Sequence, residues 1–462
     1  MIRLYDSVRG EVVDLVPRDP GRLSMYVCGP TVNDVPHIGH GRFTLIWDVA
    51  RRWYTFVGLD VRYVSNITDV DDKIIARAHD EGRTEHEVAR DFEAQWWQAI
   101  DALGVARPDD TPHATQYVDE MVSLIGRLLD GGKAYATSDG VYFDVTSVPD
   151  YGLLAGQALE SLRAGARIET IDEKRSPLDF ALWKAAKAGD PSWPAPFGEG
   201  RPGWHTECVV MSLKLLGEGF DLHTGGLDLK FPHHENERAQ AVAAGRIFCR
   251  HWAHNGWVVV GGEKMSNSLG NFTSLADLLA QTDSRAYRLL VLRSHYRSPI
   301  EVSPATIADA ERALARLDGL ARRFDLAPLA GAALERATDF DWPGEAGDLY
   351  DAVAASLNDD LDTPPAVARL FDAVTSAHAA ADRGEDETAR RLAGAVNALC
   401  GALGLRLRGD ADVVDEVSAG LVRERDEARA RSDWAAADRL RDDLAALGWT
   451  VEDGAAGTRI RR

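Results

Sequence analysis

One passage constrains this chain more than any other. RLSMYVCG, Arg22–Gly29, reads as a buried strand and runs straight into CGPTVNDVPHIGHGR, a loop with three glycines, two prolines and two histidines. Ile38–Phe56 then carries a helical pattern, DVRYVSN (Asp60–Asn66) reads as a second strand, and Asp69–Leu103 is largely helical. Strand–helix–strand–helix order predicts a parallel α/β sheet. A loop so crowded with special residues is also the first place to look for a site.

The chain changes character twice more. Around DGVYFDV, and over SPLDFALWKAAKAGDPSWPAPFGEGRPGW, turn residues, glycine and proline dominate, which marks an insertion. Helix, strand and helix resume at Glu207–Leu216, Phe220–His223 and His233–Ala244. Beyond GGEKMSNSLGN the pattern is helical. Ile307, Ala310, Leu314, Leu317 and Phe324 share one face, Leu349, Val353 and Leu357 open another helix, and Leu421–Leu447 resembles a helical pair. Ala327–Asp348, APLAGAALERATDFDWPGEAGD, is a predicted linker. At 462 residues more than one domain is required, because single cores rarely grow past roughly 250–300 residues.

Charge narrows the partners. With 52 basic against 73 acidic side chains, a formal net charge of −21, the chain is not a bulk polyanion binder, since phosphate binding draws on lysine and arginine. The exception is local: Asp283–Asp325 holds eight arginines against six acids, either a basic surface or a salt-bridged helical face. The four cysteines, Cys28, Cys208, Cys249 and Cys400, are too scattered for a disulfide framework and read as reduced thiols or metal ligands. No apolar run of about 18 residues occurs, so no membrane span is expected. The charged opening MIRLYDSVRGEVVDLVPRDP shows no secretory h-region, which makes the cytoplasm the expected location.

Three stretches carry chemistry. His37 and His40 lie three apart, so at a helix start they project to one side. Unpaired N–H groups and the positive end of the helix dipole suit phosphate there. The two imidazoles either donate hydrogen bonds to a transferring phosphoryl group or simply cap the helix. GGEKMSNSLGN presents Lys264 among small hydroxyl and amide residues, either a lid closing a cation on polyphosphate or an exposed lysine before a helix. FPHHENE sets His233 and Glu237 at i, i+4, the spacing of metal ligands on one helical face, with Cys28 and Cys208 available to complete a set. His234 and Arg238 repeat that geometry one residue on, and a buried cysteine is often just a small hydrophobe, so the ligands stay open at this point.

Taken in order, Cys28-Gly29-Pro30-Thr31, His37-Ile38-Gly39-His40, NITDVDDKI, GRPGWHTEC, GGLDLKFPHHENE and KMSNSLGNF closely resemble the class I aminoacyl-tRNA synthetases, and among them the cysteinyl-tRNA synthetases. The likeness covers nearly the whole chain and is strongest from Arg3 to Ser298. It implies a Rossmann-like, doubly wound parallel sheet as catalytic domain, with an insertion, followed by a mainly α-helical carboxyl-terminal tRNA-binding region. The implied divisions are 1–115 and 201–250 for the halves of the catalytic domain and 116–200 for the connective insertion. A KMSKS-type loop with a stem-contact region takes 251–325, a helical bundle of the anticodon-binding type 340–405, and a small terminal module 415–462.

By that resemblance Cys28, Cys208, His233 and Glu237 are zinc ligands, one ion per chain. Cys28, Gly29, Thr68 and Trp204 line the cysteine pocket. Gly29, Thr31, His37, Gly39, His40, Gly226, Asp228, Val260, Lys264 and Asn267 bind ATP or the adenylate, with magnesium accompanying ATP. His37, His40 and Lys264 are the expected catalytic residues. The loop departs from KMSKS, because Asn267 stands where the family carries a second lysine. Gly29 and Gly39 let backbone approach a nucleotide closely, and a doubly wound sheet binds its ligand at the carboxyl ends of its strands.

The implied reaction joins L-cysteine to tRNA(Cys) through a cysteinyl-adenylate, in a monomer. Zinc selects the thiol over the serine hydroxyl, because shape alone rejects a near-isostere poorly. Two rivals stand beside it. One is a related ligase joining cysteine to an amino sugar, a group that lacks an anticodon-binding extension and the Glu237 ligand. The other is a non-catalytic RNA-binding paralogue, against which the intact His37, His40, Lys264 and ligand set speak.

Overall fold

The computed structural model describes residues 1–156, 173–264, 273–329, 335–409, 416–447, 449–454 and 457–461. At its centre are four parallel strands, β1 (Arg22–Val27), β2 (Asp60–Ser65), β3 (Phe220–Gly226) and β4 (Cys249–Asn255), ordered β4–β3–β1–β2. Val27 pairs with Ser65 on one side and Thr224 on the other, and Asn255 with Gly226, so the strands finish along one edge. β1 and β3 are buried almost throughout, as strands of a parallel sheet covered on both faces are. β3 extends three residues past the expected His223.

The first crossover contains α1 (Ile38–Phe56), in which sixteen of nineteen residues are buried. A helix enclosed on all sides has to pair its charges internally. Asp48 accepts from Arg52 at 2.9 Å, from Arg288 at 2.7 Å and from the Ala106 N–H at 2.9 Å. Burial pushes its carboxyl up, but the two guanidinium groups win and hold it below the ordinary value. Arg288 also donates to the Leu403 carbonyl at 3.2 Å. The helical stretch predicted after β2 is two helices, Asp72–Glu81 and Glu85–Ala102. Gly82, left-handed at φ 63°, ends the first, and Thr84 with Glu87 forms a reciprocal cap that starts the second.

The insertion is a four-stranded antiparallel sheet in the order Ala134–Thr137, Gly140–Phe143, Phe180–Ala185, Gly200–Pro202. Its Val141, Phe143 and Trp183 share one apolar cluster with Met121 and Ile125 of the preceding helix and with Tyr26, Phe220 and Trp252 of the central strands. Burying each such side chain contributes about 1.5–3 kcal/mol, which fixes the insertion against the central sheet.

After the insertion come α2 (Trp204–Leu216) and, beyond β3, α3 (Glu235–Ala243). The helix expected from His233 therefore begins two residues later. A π-helical turn, Lys230–His234, precedes it, with Phe231 extended and Pro232 unable to donate an N–H. Part of the predicted linker is packed structure. Phe340 and Trp342 lie against Phe56, and Glu345 already opens the helix Glu345–Leu357. Large aromatic rings bury much apolar area, and these two find it against α1.

The chain forms two compact units, Met1–Arg316 with Leu329–Arg406, and Leu317–Pro328 with Leu407–Arg462. In the first, the helices Glu345–Leu357, Thr363–Asp382 and Asp386–Ala402 form a bundle. In the second, Glu416–Ala430 pairs with Trp434–Ala446 as expected, and a hairpin of Thr450–Gly454 with Gly457–Arg461 follows. The locally basic stretch proves largely salt-bridged, since Arg285, Arg288, Arg293, Arg297 and Arg312 each pair with a carboxylate. Among the described residues no helix is long and apolar enough to cross a membrane.

Candidate active site

At the end of β1 the Cys28 N–H donates to the Thr224 carbonyl of β3 at 3.1 Å. Gly29 then passes so close to the exit of β2 that a Cβ on it would lie 1.7 Å from the Asn66 carbonyl oxygen. Only a residue without a side chain fits there. Its N–H donates to Asn66 Oδ1 at 2.9 Å, and Thr31 bridges to Thr68.

The loop ends in the first turn of α1, where the rings of His37 and His40 stack with centroids 3.7 Å apart. His40 N–H donates to His37 Nδ1 and His37 N–H to His40 Nδ1, each at 3.3 Å. The two readings of this pair therefore combine. Capping uses Nδ1 as acceptor, which puts the ring proton on Nε2 and leaves Nε2–H as the donor. Burial lowers both imidazole pKa values, and that of His40 falls further because His37 is its neighbour, so both rings are neutral at physiological pH.

A cleft of about 400 Å³ opens over the strand ends. Gly29, Thr31, His37, Gly39 and His40 line it, and so do Trp204, Gly226 and Asp228. Gly226 leaves room for Asp228, whose Oδ1 would lie 2.5 Å from a Cβ placed on it. Thr68 is covered, 1 % exposed. Val260 is half-buried on the strand Val258–Val260, of which Val258 reaches the cleft. Lys264 closes the short strand Glu263–Lys264, in register with Val259. Asn267 lies outside the described residues.

Cys28, the first residue of that loop, also belongs to a second constellation. Its sulfur, that of Cys208, a His233 nitrogen and a Glu237 oxygen all lie within 4.8 Å of one another, and all four residues are buried. Cys28 Sγ is 3.6 Å from Cys208 Sγ and 3.6 Å from Glu237 Oε1, while His233 Nε2 is 2.9 Å from Glu237 Oε1. Bonds of ~2.3 Å to sulfur and ~2.0–2.1 Å to nitrogen or oxygen give tetrahedral edges of roughly 3.3–3.8 Å. The sulfur separations fit a tetrahedral ion as they stand, and the donor set of two sulfurs, an imidazole and a carboxylate suits zinc. The nitrogen–oxygen pair, at 2.9 Å, is closer.

Cys28, His223, His234 and Glu237 form a second group within the same limit. Its histidines sit as outer partners of the ligands do. His223 Nε2 is 2.6 Å from Glu237 Oε2, and His234 Nε2 is 3.3 Å from Cys28 Sγ, with Nδ1 2.8 Å from His254 Nε2. Two sulfurs accompany His233 and one accompanies His234.

The charges of the cluster are ordered. The Cys28 S–H donates to Cys208, which draws the Cys208 thiol down to about 6, whereas burial and the adjacent Cys208 push Cys28 well up. Burial opposes ionisation of Glu237, but His223 and His233 hold it well below the usual carboxylate range. Burial also pulls His233 down, and Glu237 more than reverses that. Asn66, Glu207 and His223 are parts of this site that spacing alone did not single out, although Asn66 and Glu207 lie inside the NITDVDDKI and GRPGWHTEC blocks.

The sheet order, and the helix that begins with His37 at its edge, place the fold among the class I aminoacyl-tRNA synthetases. It matches Mycobacterium tuberculosis methionyl-tRNA synthetase in complex with methionyl-adenylate with a TM-score of 0.59, over 83% of this chain and 89% of that one, at 15% identity. The LeuRS of Agrobacterium radiobacter K84, solved in a ternary complex, matches with 0.61 over 85% and 84%, at 12% identity. Within that class the chain belongs to the cysteinyl-tRNA synthetase family. The family model described as the class I (C) tRNA synthetase catalytic domain matches residues 14–312, a DALR domain 352–408, and a cysteinyl-tRNA ligase anticodon-binding domain 412–461. The chain is 44% identical over 467 residues to the cysteine–tRNA ligase of Dechloromonas aromatica (strain RCB), with both chains covered in full. With that of Chromobacterium violaceum the identity is 43% over 475 residues, again at full coverage.

Proposed function

We propose that this chain uses ATP to join L-cysteine to tRNA(Cys) by way of cysteinyl-adenylate. Zinc is held by Cys28, Cys208, His233 and Glu237, and magnesium accompanies the ATP. The observation that carries the reading is one loop shared by two chemistries. Cys28 opens it in the buried donor cluster, and His37 and His40 close it in the cleft above.

In the first step the cysteine carboxylate attacks the α-phosphorus of ATP and pyrophosphate leaves. No protein atom joins the substrate covalently, so catalysis is positioning and charge stabilisation. His37 and His40 donate Nε2–H to the phosphoryl oxygens, and the amino terminus of α1 adds its dipole in the same direction. Because both rings are neutral, they stabilise developing charge without holding the departing pyrophosphate as a full cation would. Gly29 and Gly39 leave room for the nucleotide, and Lys264 brings the cation. In the second step a hydroxyl of the terminal adenosine of the tRNA attacks the activated carbonyl and AMP leaves. Bound zinc supplies a soft Lewis-acid centre that prefers a thiolate to a hydroxyl.

Residues 340–405 and 415–462 are read as the tRNA-binding parts of a cytoplasmic monomer. The matches at 352–408 and 412–461 support a tRNA over an amino sugar as acceptor. The test is cysteine-dependent pyrophosphate exchange followed by charging of tRNA(Cys). A chain ending at Leu407 should keep appreciable exchange and lose efficient charging. Undiminished charging by that shorter chain would refute the role given to the carboxyl-terminal segment, and transfer of cysteine to an amino sugar in place of tRNA would refute the assignment.

A further inference from the structure

Arg42 is a buried cation that the reaction as described does not use. It lies in α1 two residues beyond His40 and is 1 % exposed. Among the described residues, three backbone carbonyls and no carboxylate hold its guanidinium. Nη1 donates to the Trp257 carbonyl at 2.6 Å, and Nη2 donates to the Tyr296 carbonyl at 3.3 Å and to that of Ser298. Its Nε has no hydrogen-bond partner among the described residues. Burial draws the group down to about 10, so it stays charged at physiological pH.

Two of these carbonyls already join neighbouring segments. The Trp257 carbonyl also accepts from the Ile300 N–H at 3.2 Å, and the Tyr296 carbonyl from the Gly256 N–H at 2.9 Å. The guanidinium therefore sits where residues 256–257 cross residues 296–300. That crossing is the base of a small sheet in the order Glu263–Lys264, Val258–Val260, Ile300–Glu301, with Lys264 opposite Val259. β4 is tied to α1 separately, since Trp47 Nε1 donates to Asn255 Oδ1 at 3.2 Å. For stability alone, an apolar side chain would serve such a buried place as well. What a guanidinium adds is a rigid fork of donors that fixes two chain segments at once.

We propose that Arg42 is a positioning residue that sets the small sheet against the histidine pair, so that one ATP molecule meets both. His37 and His40 stand on α1 and Lys264 on the sheet, and Arg42 spans the two. The inference rests on the reading of the cleft as the site where ATP reacts. Gly256 and Trp257 line that cleft together with both histidines. A shift at the crossing therefore moves one wall of the cleft relative to the helix.

Arg42→Lys tests this, because an ammonium group keeps the charge but cannot span the carbonyls as a fork does. In pyrophosphate exchange the KM for ATP should rise about tenfold or more, as loss of a bond from a charged group implies. The KM for cysteine should change less than about threefold, with the zinc content unchanged, because β4 and the donor cluster keep their own ties. Adenosine lacks the phosphates that would reach the histidines, so its Ki against ATP should also change less than about threefold. Gly256→Ala strikes the same crossing from the other side. Its added Cβ would lie 2.6 Å from the Arg297 carbonyl oxygen and 2.7 Å from that of Ser298. It should reproduce the selective loss on ATP, and the double variant should be no worse than the more severe single one. If Arg42→Lys does not fold, Gly256→Ala decides by the same readout.

A merely structural role would lower the thermal midpoint and the fraction of competent enzyme, counted by active-site titration, and leave the KM for ATP in place. That result would overturn the proposal, as would equal weakening of adenosine and ATP. Absence of cysteine-dependent exchange in the unsubstituted chain would overturn the reading of the cleft itself.

Discussion

Cys28 Sγ and Cys208 Sγ lie 3.6 Å apart although 180 positions separate them. One arrives on the loop after β1 and the other on α2, so the pair depends on the crossover that sets β3 beside β1. Two buried sulfurs beside Glu237, whose carboxyl His223 and His233 hold well below its usual range, offer a donor set suited to a divalent cation. The purified chain should hold one equivalent of zinc. Cys208→Ser should lose most of that zinc and raise the KM for cysteine, with ATP binding nearly unchanged. Metal analysis alongside exchange kinetics checks this, and full activity in metal-free protein would refute the metal reading.

On the proposed function the stacked histidines cap the helix through Nδ1 and act on phosphate through Nε2, so substitution can separate the two roles. His37→Asn keeps a good helix cap and loses the Nε2–H donor. Its thermal midpoint should stay near that of the unsubstituted chain while adenylate formation slows roughly ten- to a hundredfold, the equivalent of ~1.4–3 kcal/mol. His37→Ala should lose the cap as well, a further ~1 kcal/mol of stability. An unslowed His37→Asn enzyme would leave capping as the only role of His37.

A pH effect is expected away from the site. His113 Nε2 lies 3.0 Å from both carboxylate oxygens of Glu93. The bond to Glu93 raises the pKa of His113, and the same bond lowers that of Glu93. The folded state therefore binds the imidazole proton more tightly than the unfolded state does. The contribution is complete below the ordinary histidine value of about 6.5 and is lost as pH rises through the raised folded value. On the acid side Glu93 contributes above the ordinary carboxyl value of about 4.3, and that part is lost as pH falls through its lowered value. Thermal melts of His113→Gln should show a smaller loss of stability than the parent between about pH 6 and pH 9. Parallel curves would show that the pair contributes nothing.

Asn267 replaces a lysine expected in the KMSKS-type loop, and an asparagine donates a hydrogen bond without bringing charge. A charge-assisted bond is worth ~1.5–3 kcal/mol against ~0.5–1.5 for a neutral one. Asn267→Lys should therefore speed adenylate formation, or tighten ATP, by roughly one order of magnitude, with cysteine and zinc binding unchanged. Lys264→Ala should be severe. Pre-steady-state adenylate formation decides the matter, and no gain would mean the missing charge is not a deficit.

What was legible in the sequence was mostly local. An apolar run ending in glycine, proline and two histidines announces β1, its loop and the capped start of α1, and all three are present. The i, i+4 spacing of His233 and Glu237 brings those two together even though a π-helical turn carries the first. The choice between His233 and His234 was not legible, because it depends on where two distant sulfurs arrive. Nor was the bond from Thr68 to Glu207, since the partners are 139 positions apart and no periodicity reports which loops meet. The linker reading missed Phe340 and Trp342, whose packing depends on Phe56 of α1.

The carboxylate of Asp48, held by Arg52 and Arg288, lies in the same helix that opens with His37, and Arg288 reaches on to the Leu403 carbonyl. Losing Asp48 would leave two buried guanidinium groups without their carboxylate, at about 3–5 kcal/mol. In descent, then, these positions should be exchanged as a set or kept. The end of the helix before Leu403 is thereby tied, through one shared carboxylate, to the helix that His37 opens.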